Sequence, residues 1–143
     1  MIDDLINGIS AKLYELFGDG YDIEIDELPQ GFAPPGFWIT TLKQSQAAGL
    51  DNRYRRKYHF DVLYYPRVDA ESQTREISAV AEALLLGLEY ITAGGNLVRG
   101  TDISYEVQGN VLHFVIIFDL LVEKLRDKVD LMGDLVQTKQ LNF

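Results

Sequence analysis

The stretch Val111–Val122, VLHFVIIFDLLV, decides the fold of this chain. Through Phe118 it contains almost no polar residue, which is typical of a strand buried on both faces. Such a strand lies at the centre of a sheet, or is covered by helix or by a neighbouring subunit. The two-residue hairpin signal Gly109-Asn110 comes directly before it, and Asn96–Gln108 precedes that turn with the pattern of a strand. The two strands therefore predict a β-hairpin inside the sheet.

Three more strands are predicted nearer the amino terminus. Tyr21–Asp26 alternates strictly between apolar and polar residues, and Gly36–Lys43 is rich in aromatic and β-branched residues. Arg53–Tyr65 is a long alternating strand that ends before Pro66, which cannot continue a sheet ladder. Between the last two, Gln44–Asn52 has only a weak pattern and is predicted as a loop or the tip of a long hairpin.

Two amphipathic helices complete the pattern. Apolar residues recur at three- and four-residue steps from Ile2 to Phe17, and Gly18 ends that helix. Asp69 is a candidate N-cap for a second helix over about Ala70–Tyr90. The order α-β-β-β-α-β-β then predicts an α+β domain, with two helices packed on a largely antiparallel four- to five-stranded sheet.

The chain is divided into an α+β domain over residues 1–122 and a C-terminal arm over 123–143. A chain of 143 residues is one domain on length alone, and it is long enough to bury a core. The arm is too apolar for a plain disordered tail. Its pattern leaves open a short helix, a further strand, or a segment that docks on a neighbouring subunit.

The composition excludes several functions. The absence of cysteine rules out disulfides, cysteine-ligated metal centres and thiol catalysis. A net charge of -9 gives no overall attraction for nucleic acid or anionic membranes. No apolar run approaches the ~20 residues needed to span a bilayer, and the acidic amino terminus is unlike a signal peptide. A soluble protein made in the cytoplasm, with no membrane partner, is expected.

Charge is unevenly distributed along the chain. The net charge is -7 over residues 1–42, +4 over 43–67 and -6 over 68–143. A basic segment between two acidic ones favours contact between copies of the chain, although charges adjacent in sequence need not form one patch in space. A solvated strand face explains the same residues equally well. The candidate interface residues are Arg53, Arg55, Lys57, Asp22, Glu24 and Asp26.

No catalytic, cofactor-binding or metal-binding pattern is present. His59 and His113 stand alone in strands, without the spacing of a metal site. The glycines of Gly18–Gly20 and Gly94–Gly100 lack the lysine of a phosphate loop and are predicted as turns. No serine stands in a nucleophile-elbow motif. The sequence therefore predicts a protein that is not an enzyme and needs no cofactor.

Seven short stretches carry a resemblance to a known family, in their order and spacing. They are Phe17–Tyr21 (FGDGY), Asn52–Tyr54 (NRY), Tyr64–Pro66 (YYP), Leu88–Ile91 (LEYI), Leu97–Thr101 (LVRGT), Tyr105–Val107 (YEV) and Leu112–Phe114 (LHF). With the opening helix, they cover roughly residues 1–122. Over that range the chain resembles the tail terminator proteins of long-tailed phages, prophages and phage-tail-like bacteriocins.

The resemblance implies a structural subunit that forms a homo-oligomeric ring, expected to be a hexamer. Such a ring caps the head-proximal end of the tail tube, stops polymerisation of tube and sheath, and provides a joining surface. The implied partners are other copies of the chain, the tube protein, the sheath protein in a contractile tail, and a head–tail connector where a head exists. DNA is met only in passing through the lumen. The implied location is the virion or a phage-tail-like particle, assembled in the bacterial cytoplasm.

Two other functions are kept beside this one. A head-closure or tail-completion adaptor has similar size and acidity, and its partner distinguishes it from a terminator. A small hydrolase is the remote alternative, which a screen against ester, phosphate and glycoside substrates would detect. The sequence leaves open whether the tail is contractile, whether a capsid exists, and whether the free protein is a monomer or a ring.

Overall fold

The computed structural model describes residues 1–68, 72–126 and 136–141. These residues form two helices and seven strands in an α+β arrangement. The elements are α1 Ile2–Phe17, β1 Asp22–Ile25, β2 Gly36–Ala48, β3 Arg53–Tyr65, α2 Gln73–Gly87, β4 Tyr90–Ala93, β5 Asn96–Gln108, β6 Val111–Arg126 and β7 Val136–Leu141. The predicted helices and all five predicted strands are present, in the predicted order.

The strands form a mixed sheet in the order β1-β2-β3-β6-β5-β4. β7 pairs with residues 121–126 of β6, past Phe118, where the pairing of β6 with β5 stops. β1 pairs with β2 in parallel. The other pairs are antiparallel. The prediction of four to five strands was therefore wrong, because six strands lie on this path and a seventh joins β6. The helices and the α+β class were predicted correctly.

Strand β4 was missed because the second helix is shorter than predicted. Ser72, not Asp69, caps the helix by accepting a hydrogen bond from the backbone N–H of Arg75 at 3.3 Å, while Asp69 lies outside the described residues. At the other end, Gly94 and Gly95 adopt φ values of 58° and 81°. Positive φ at both positions permits a tight turn, and this turn pairs β4 with the start of β5.

The loop predicted over Gln44–Asn52 is mostly strand. β2 continues to Ala48, and its second half pairs with the first half of β3 around a short turn. The residues there are exposed on both faces of the strand, so apolar and polar residues do not alternate along it. Hydrogen bonds to β3 stabilise this part of the strand instead. The alternative prediction of a long hairpin tip was therefore the better one.

One face of the sheet packs against α1 and α2 to form the core. The buried side chains on this inner face include Phe37, Phe60, Tyr64, Phe114, Phe118, Leu5, Ile9 and Leu84. On β6, Leu112 and Phe114 are fully buried, whereas Val115 and Ile117 point to the outer face and are only half-buried. The predicted central position of β6 is confirmed, but burial of both its faces is not found in the single chain.

The C-terminal arm is described in part. Residues 136–141 form β7, so the open alternative of a further strand holds for that stretch. β6 runs on to Arg126 and therefore passes the predicted boundary at residues 122 and 123. The division into two segments stays a prediction, and residues 127–135 and 142–143 lie outside the described residues.

Gly8 is the position at which α1 crosses β4, and we expect the stability of the fold to depend on the absence of a side chain there. A Cβ at Gly8 would lie 2.5 Å from the carbonyl oxygen of Thr92 and 3.2 Å from a methyl carbon of Ile91. Gly8→Ala should therefore destabilise the fold by about 1–3 kcal/mol, measured by denaturant unfolding. Gly20→Ala is the matched control, since a Cβ there meets nothing within 4 Å. Equal stability of the two variants would contradict this packing.

Candidate interaction surfaces

The predicted basic residues form a row on the outer face of β3. Arg53, Arg55 and Lys57 alternate along the strand and are exposed, as predicted from their spacing. Arg55 is engaged within its own chain, because its Nη1 donates to Oδ2 of Asp119 at 3.1 Å. Such a partly exposed ion pair contributes little to stability. We call these three residues the basic row.

Acidic residues of β6 lie beside the basic row. The strand register places Lys57 opposite Asp119 and Arg53 opposite Glu123 on the same face. The sequence prediction missed this neighbourhood, because Asp119 and Glu123 are far from the basic row in the sequence and only the pairing of β3 with β6 brings them beside it. The basic row is therefore partly compensated by its own chain and is not a purely positive patch.

The predicted acidic residues lie at the other end of the sheet. Asp22 and Glu24 are in β1, and Asp26 follows it with a φ of 64°. Two hydrogen bonds hold Asp26 against β2. The indole N–H of Trp38 donates to the carbonyl oxygen of Asp26 at 2.8 Å, and the backbone N–H of Asp26 donates to the carbonyl oxygen of Ile39 at 3.0 Å. We call Asp22, Glu24 and Asp26 the acidic row.

The two rows do not meet within one chain. β1 pairs with the start of β2, which pairs with the end of β3, whereas the basic row lies at the beginning of β3. At about 3.3 Å per strand residue, the centres of the rows, Glu24 and Arg55, lie about 26 Å apart along the strands, and their nearest members, Asp26 and Lys57, about 13 Å apart. A contact between them therefore requires two copies of the chain.

One polar pair on the outer face was not predicted. Nδ1 of His113 lies 2.9 Å from Oδ2 of Asp61, whose side chain is buried among the central strands. The residues are 52 positions apart, and only the pairing of β3 with β6 brings them together. The signal in the sequence was an aspartate within the apolar half of a strand. His59 lies on the same face of β3.

Two tyrosines at the end of β3 have raised pKa values. Burial raises the pKa of the Tyr64 phenol well above its ordinary value, and the charge of Glu76 raises it further. Burial also raises the pKa of Tyr65, with a smaller contribution from Asp61. Both phenols therefore stay protonated at neutral pH, and neither supplies an anionic group for chemistry.

These shifts predict a loss of stability at high pH. The folded state retains a proton that the unfolded state releases near pH 10, so the stability is complete below pH 10 and falls above it. Each such tyrosine steepens the fall by about 1.4 kcal/mol per pH unit. Tyr64→Phe should make the alkaline decline of the unfolding free energy shallower, and Tyr14→Phe, at a position 58% exposed, should not. Identical slopes for both variants would contradict the assignment.

One cleft of the described residues is lined by polar side chains of β2 and β3. This cleft, lined by Gln44, Gln46, Arg56 and Tyr58, has about 300 Å³, and its arginine already donates to Oε1 of Gln46 at 2.7 Å. No group of three or more metal-ligating side chains occurs in the part of the chain that the structure describes. Neither described helix is long and apolar enough to cross a membrane.

Exposed rows of charge of this kind suit a protein that acts by contact with other subunits. A family model described as "Phage tail terminator protein" matches residues 4–130, which is most of the chain. The chain belongs to the phage tail terminator family, as the sequence resemblance predicted. Members of this family are structural proteins of the phage tail rather than a known class of enzyme, so the chain is assigned to the phage tail as a virion component.

The other comparisons add no assignment. No curated protein matches the chain. One solved structure aligns with 83% of this chain and 93% of its own, at 16% sequence identity and a TM-score of 0.43. A likeness at that level carries no argument about fold or function.

Proposed function

We propose that copies of this chain form a ring, expected to be a hexamer, that caps the head-proximal end of the tail tube. The cap stops further addition of tube and sheath subunits and presents the surface to which a head is joined. The family match over residues 4–130 carries this proposal. The experiments described below distinguish this function from the two alternatives, head closure and catalysis.

Capping requires two different surfaces on one ring. One side must fit the growing end of the tube, and the other must fail to fit a further tube subunit. Closing a ring from identical subunits also requires a head-to-tail contact, in which one patch meets a different patch on the next copy. The wide separation of the basic row and the acidic row within one chain is compatible with such a contact.

The partners follow from the same proposal. The ring contacts other copies of the chain, the tube protein, the sheath protein where the tail is contractile, and a connector where a head exists. The net charge of -9 opposes tight binding of DNA, so DNA passes through the lumen without being held. Assembly takes place in the bacterial cytoplasm and needs no cofactor.

Tube polymerisation in vitro tests the capping activity directly. Purified tube protein should elongate freely alone and stop early when this chain is added, because an occupied end cannot accept another subunit. Tube length is measured by negative-stain electron microscopy, and gold-labelled chain should lie at one end only. Label along the tube walls, or unchanged tube length at saturating chain, would overturn the proposal.

A further inference from the structure

Two strand edges are unpaired in the described residues. β1 pairs with β2 only over Gly36–Ile39, so no described strand covers the rest of that side of β2. β4 pairs with β5 only over Asn96–Arg99, and the N–H of Gly100 donates to the carbonyl of Glu89 at 2.6 Å. We call residues 40–48 of β2 the β2 edge, and residues 104–108 of β5 the β5 edge.

Both edges carry exposed apolar side chains. Leu42 on the β2 edge is 56% exposed, and Tyr105 and Val107 on the β5 edge are 43% and 50% exposed. Tyr105 and Val107 also line a cleft of about 120 Å³ against α2. An exposed strand edge with apolar side chains is a template for pairing with another strand.

We propose that the β2 edge of one subunit pairs with the β5 edge of the next, so that the sheet continues across the subunit boundary. This inference rests on the proposed ring and names its subunit contact. The central strands β2, β3, β6 and β5 alternate in direction. Because β5 runs opposite to β2, a second copy placed beside the first in the same orientation pairs its β2 edge antiparallel to the β5 edge.

The two edges are offset along the strands, and the offset has a consequence for the ring. Gln44, at the middle of the β2 edge, is level through β3 and β6 with Gly100, whereas Tyr105 is level with Ile39. The offset is therefore about five residues, or about 17 Å, against a width of about 19 Å for four strand spacings. Pairing then inclines the strands to the ring axis by about 40°, within the range of roughly 35–45° found in closed barrels.

Centring the two edges on each other would pair Gln44 with Glu106, which lie on opposite faces of the sheet, so the proposed register is the adjacent one, shifted by one residue, in which the faces agree. The proposed register places Gln44 opposite Tyr105 on the inner face and Lys43 opposite Glu106 on the outer face. Both assignments agree with the faces these residues occupy in their own chain, where Lys43 is beside His59 and Glu106 is beside His113. An opposite-charge pair across strands is favourable.

The charges of the two edges also favour a head-to-tail contact between two copies of the chain. The β2 edge carries one charged residue, Lys43, and its residues 43–48 belong to the segment of net charge +4, whereas the β5 edge and its bulge carry Glu106 and Asp102. A two-fold dimer through the β2 edge would bring the same basic segment against itself, which is unfavourable. The unlike contact generates a ring, because each subunit offers one edge of each kind.

Cysteine cross-linking tests the contact, because the chain contains no cysteine of its own. The proposed register places Ser45 of one subunit opposite Ser104 of the next, at a Cα separation of about 4.5–5.5 Å that a disulfide can bridge. Within one chain these serines lie three strands apart, about 14 Å or more, which a disulfide cannot span. Ser45→Cys with Ser104→Cys should give a ladder of covalent oligomers from oxidised particles on non-reducing gels.

Four further variants complete the experiment: a shifted cysteine pair, two single charge reversals and their combination. Ser45→Cys with Gln108→Cys is shifted by four residues, about 13 Å, and should give no ladder. Lys43→Glu and Glu106→Lys should each reduce ring formation, and the two together should restore it. A ring in the particles without the Ser45–Ser104 ladder, or with an equal ladder from the shifted pair, would overturn this contact and leave the cap intact. Particles whose tube ends carry no ring would overturn the proposed function as well.

Discussion

Particles made without this chain should contain tubes that have grown far beyond normal length and lack a closed end. A cap acts by occupying the end of the tube, so its loss does not impair the addition of tube subunits. Each addition buries further surface, and nothing blocks the next. Deletion of the gene, followed by negative-stain electron microscopy of lysates, measures the length distribution and the number of finished particles.

Complementation sharpens this deletion experiment. Wild-type chain supplied during assembly should restore normal length, whereas chain added after growth should cap the long tubes without shortening them. A head-closure protein predicts tails of normal length beside unjoined heads, and an enzyme predicts normal morphology with a later defect. Tails of wild-type length with intact ends in the deletion would show that the chain is not the terminator.

The long central strands were predictable from the sequence for a physical reason. In the first part of β3 the inner-face residues are more buried than the outer-face residues, so apolar and polar residues mostly alternate there. Further along the strand Asp61 and Leu63 on the outer face are buried too. β4 could not be found in this way. It has four residues, and Leu88 and Ile91 continue the three- and four-residue spacing of the preceding helix. Only the pairing with β5 across Gly94 and Gly95 makes this segment a strand.

The candidate surfaces were predictable only within single strands. Alternation places Arg53, Arg55 and Lys57 on one face, and the structure agrees. The proximity of Asp119 to Arg55, or of Asp61 to His113, depends on β3 lying beside β6, and no local pattern encodes that neighbour. The unpaired edges likewise become visible only once the order of the strands is known. Sequence reasoning therefore predicted which residues share a face, but not which surfaces two subunits bring together.

Reversal of charge in the basic row should abolish capping while leaving the chain folded. We expect Arg53 and Lys57 to pair with acidic groups on the tube end or on a neighbouring subunit, and glutamates there would repel those groups. Exposed single charges contribute little to stability, but Arg53→Glu lies opposite Glu123 and Lys57→Glu lies opposite Asp119. The double variant Arg53→Glu with Lys57→Glu should therefore stay folded and lose at most about 2 kcal/mol of unfolding free energy. Arg55 is left unchanged in this variant, so that its hydrogen bond and ion pair to Asp119 are kept.

The matched control reverses two basic residues away from the row. Lys12→Glu with Arg75→Glu changes the net charge by the same amount on α1 and α2 and should cap tubes normally. The triple variant that adds Arg55→Glu should also fail to cap, and it should be less stable than the double variant because it also loses the hydrogen bond from Arg55 to Asp119. Tube length in the polymerisation assay and thermal unfolding are measured on the same preparations. Normal capping by the double variant would show that the basic row is a solvated strand face, whereas failure of the helix control would show that net charge alone governs the result.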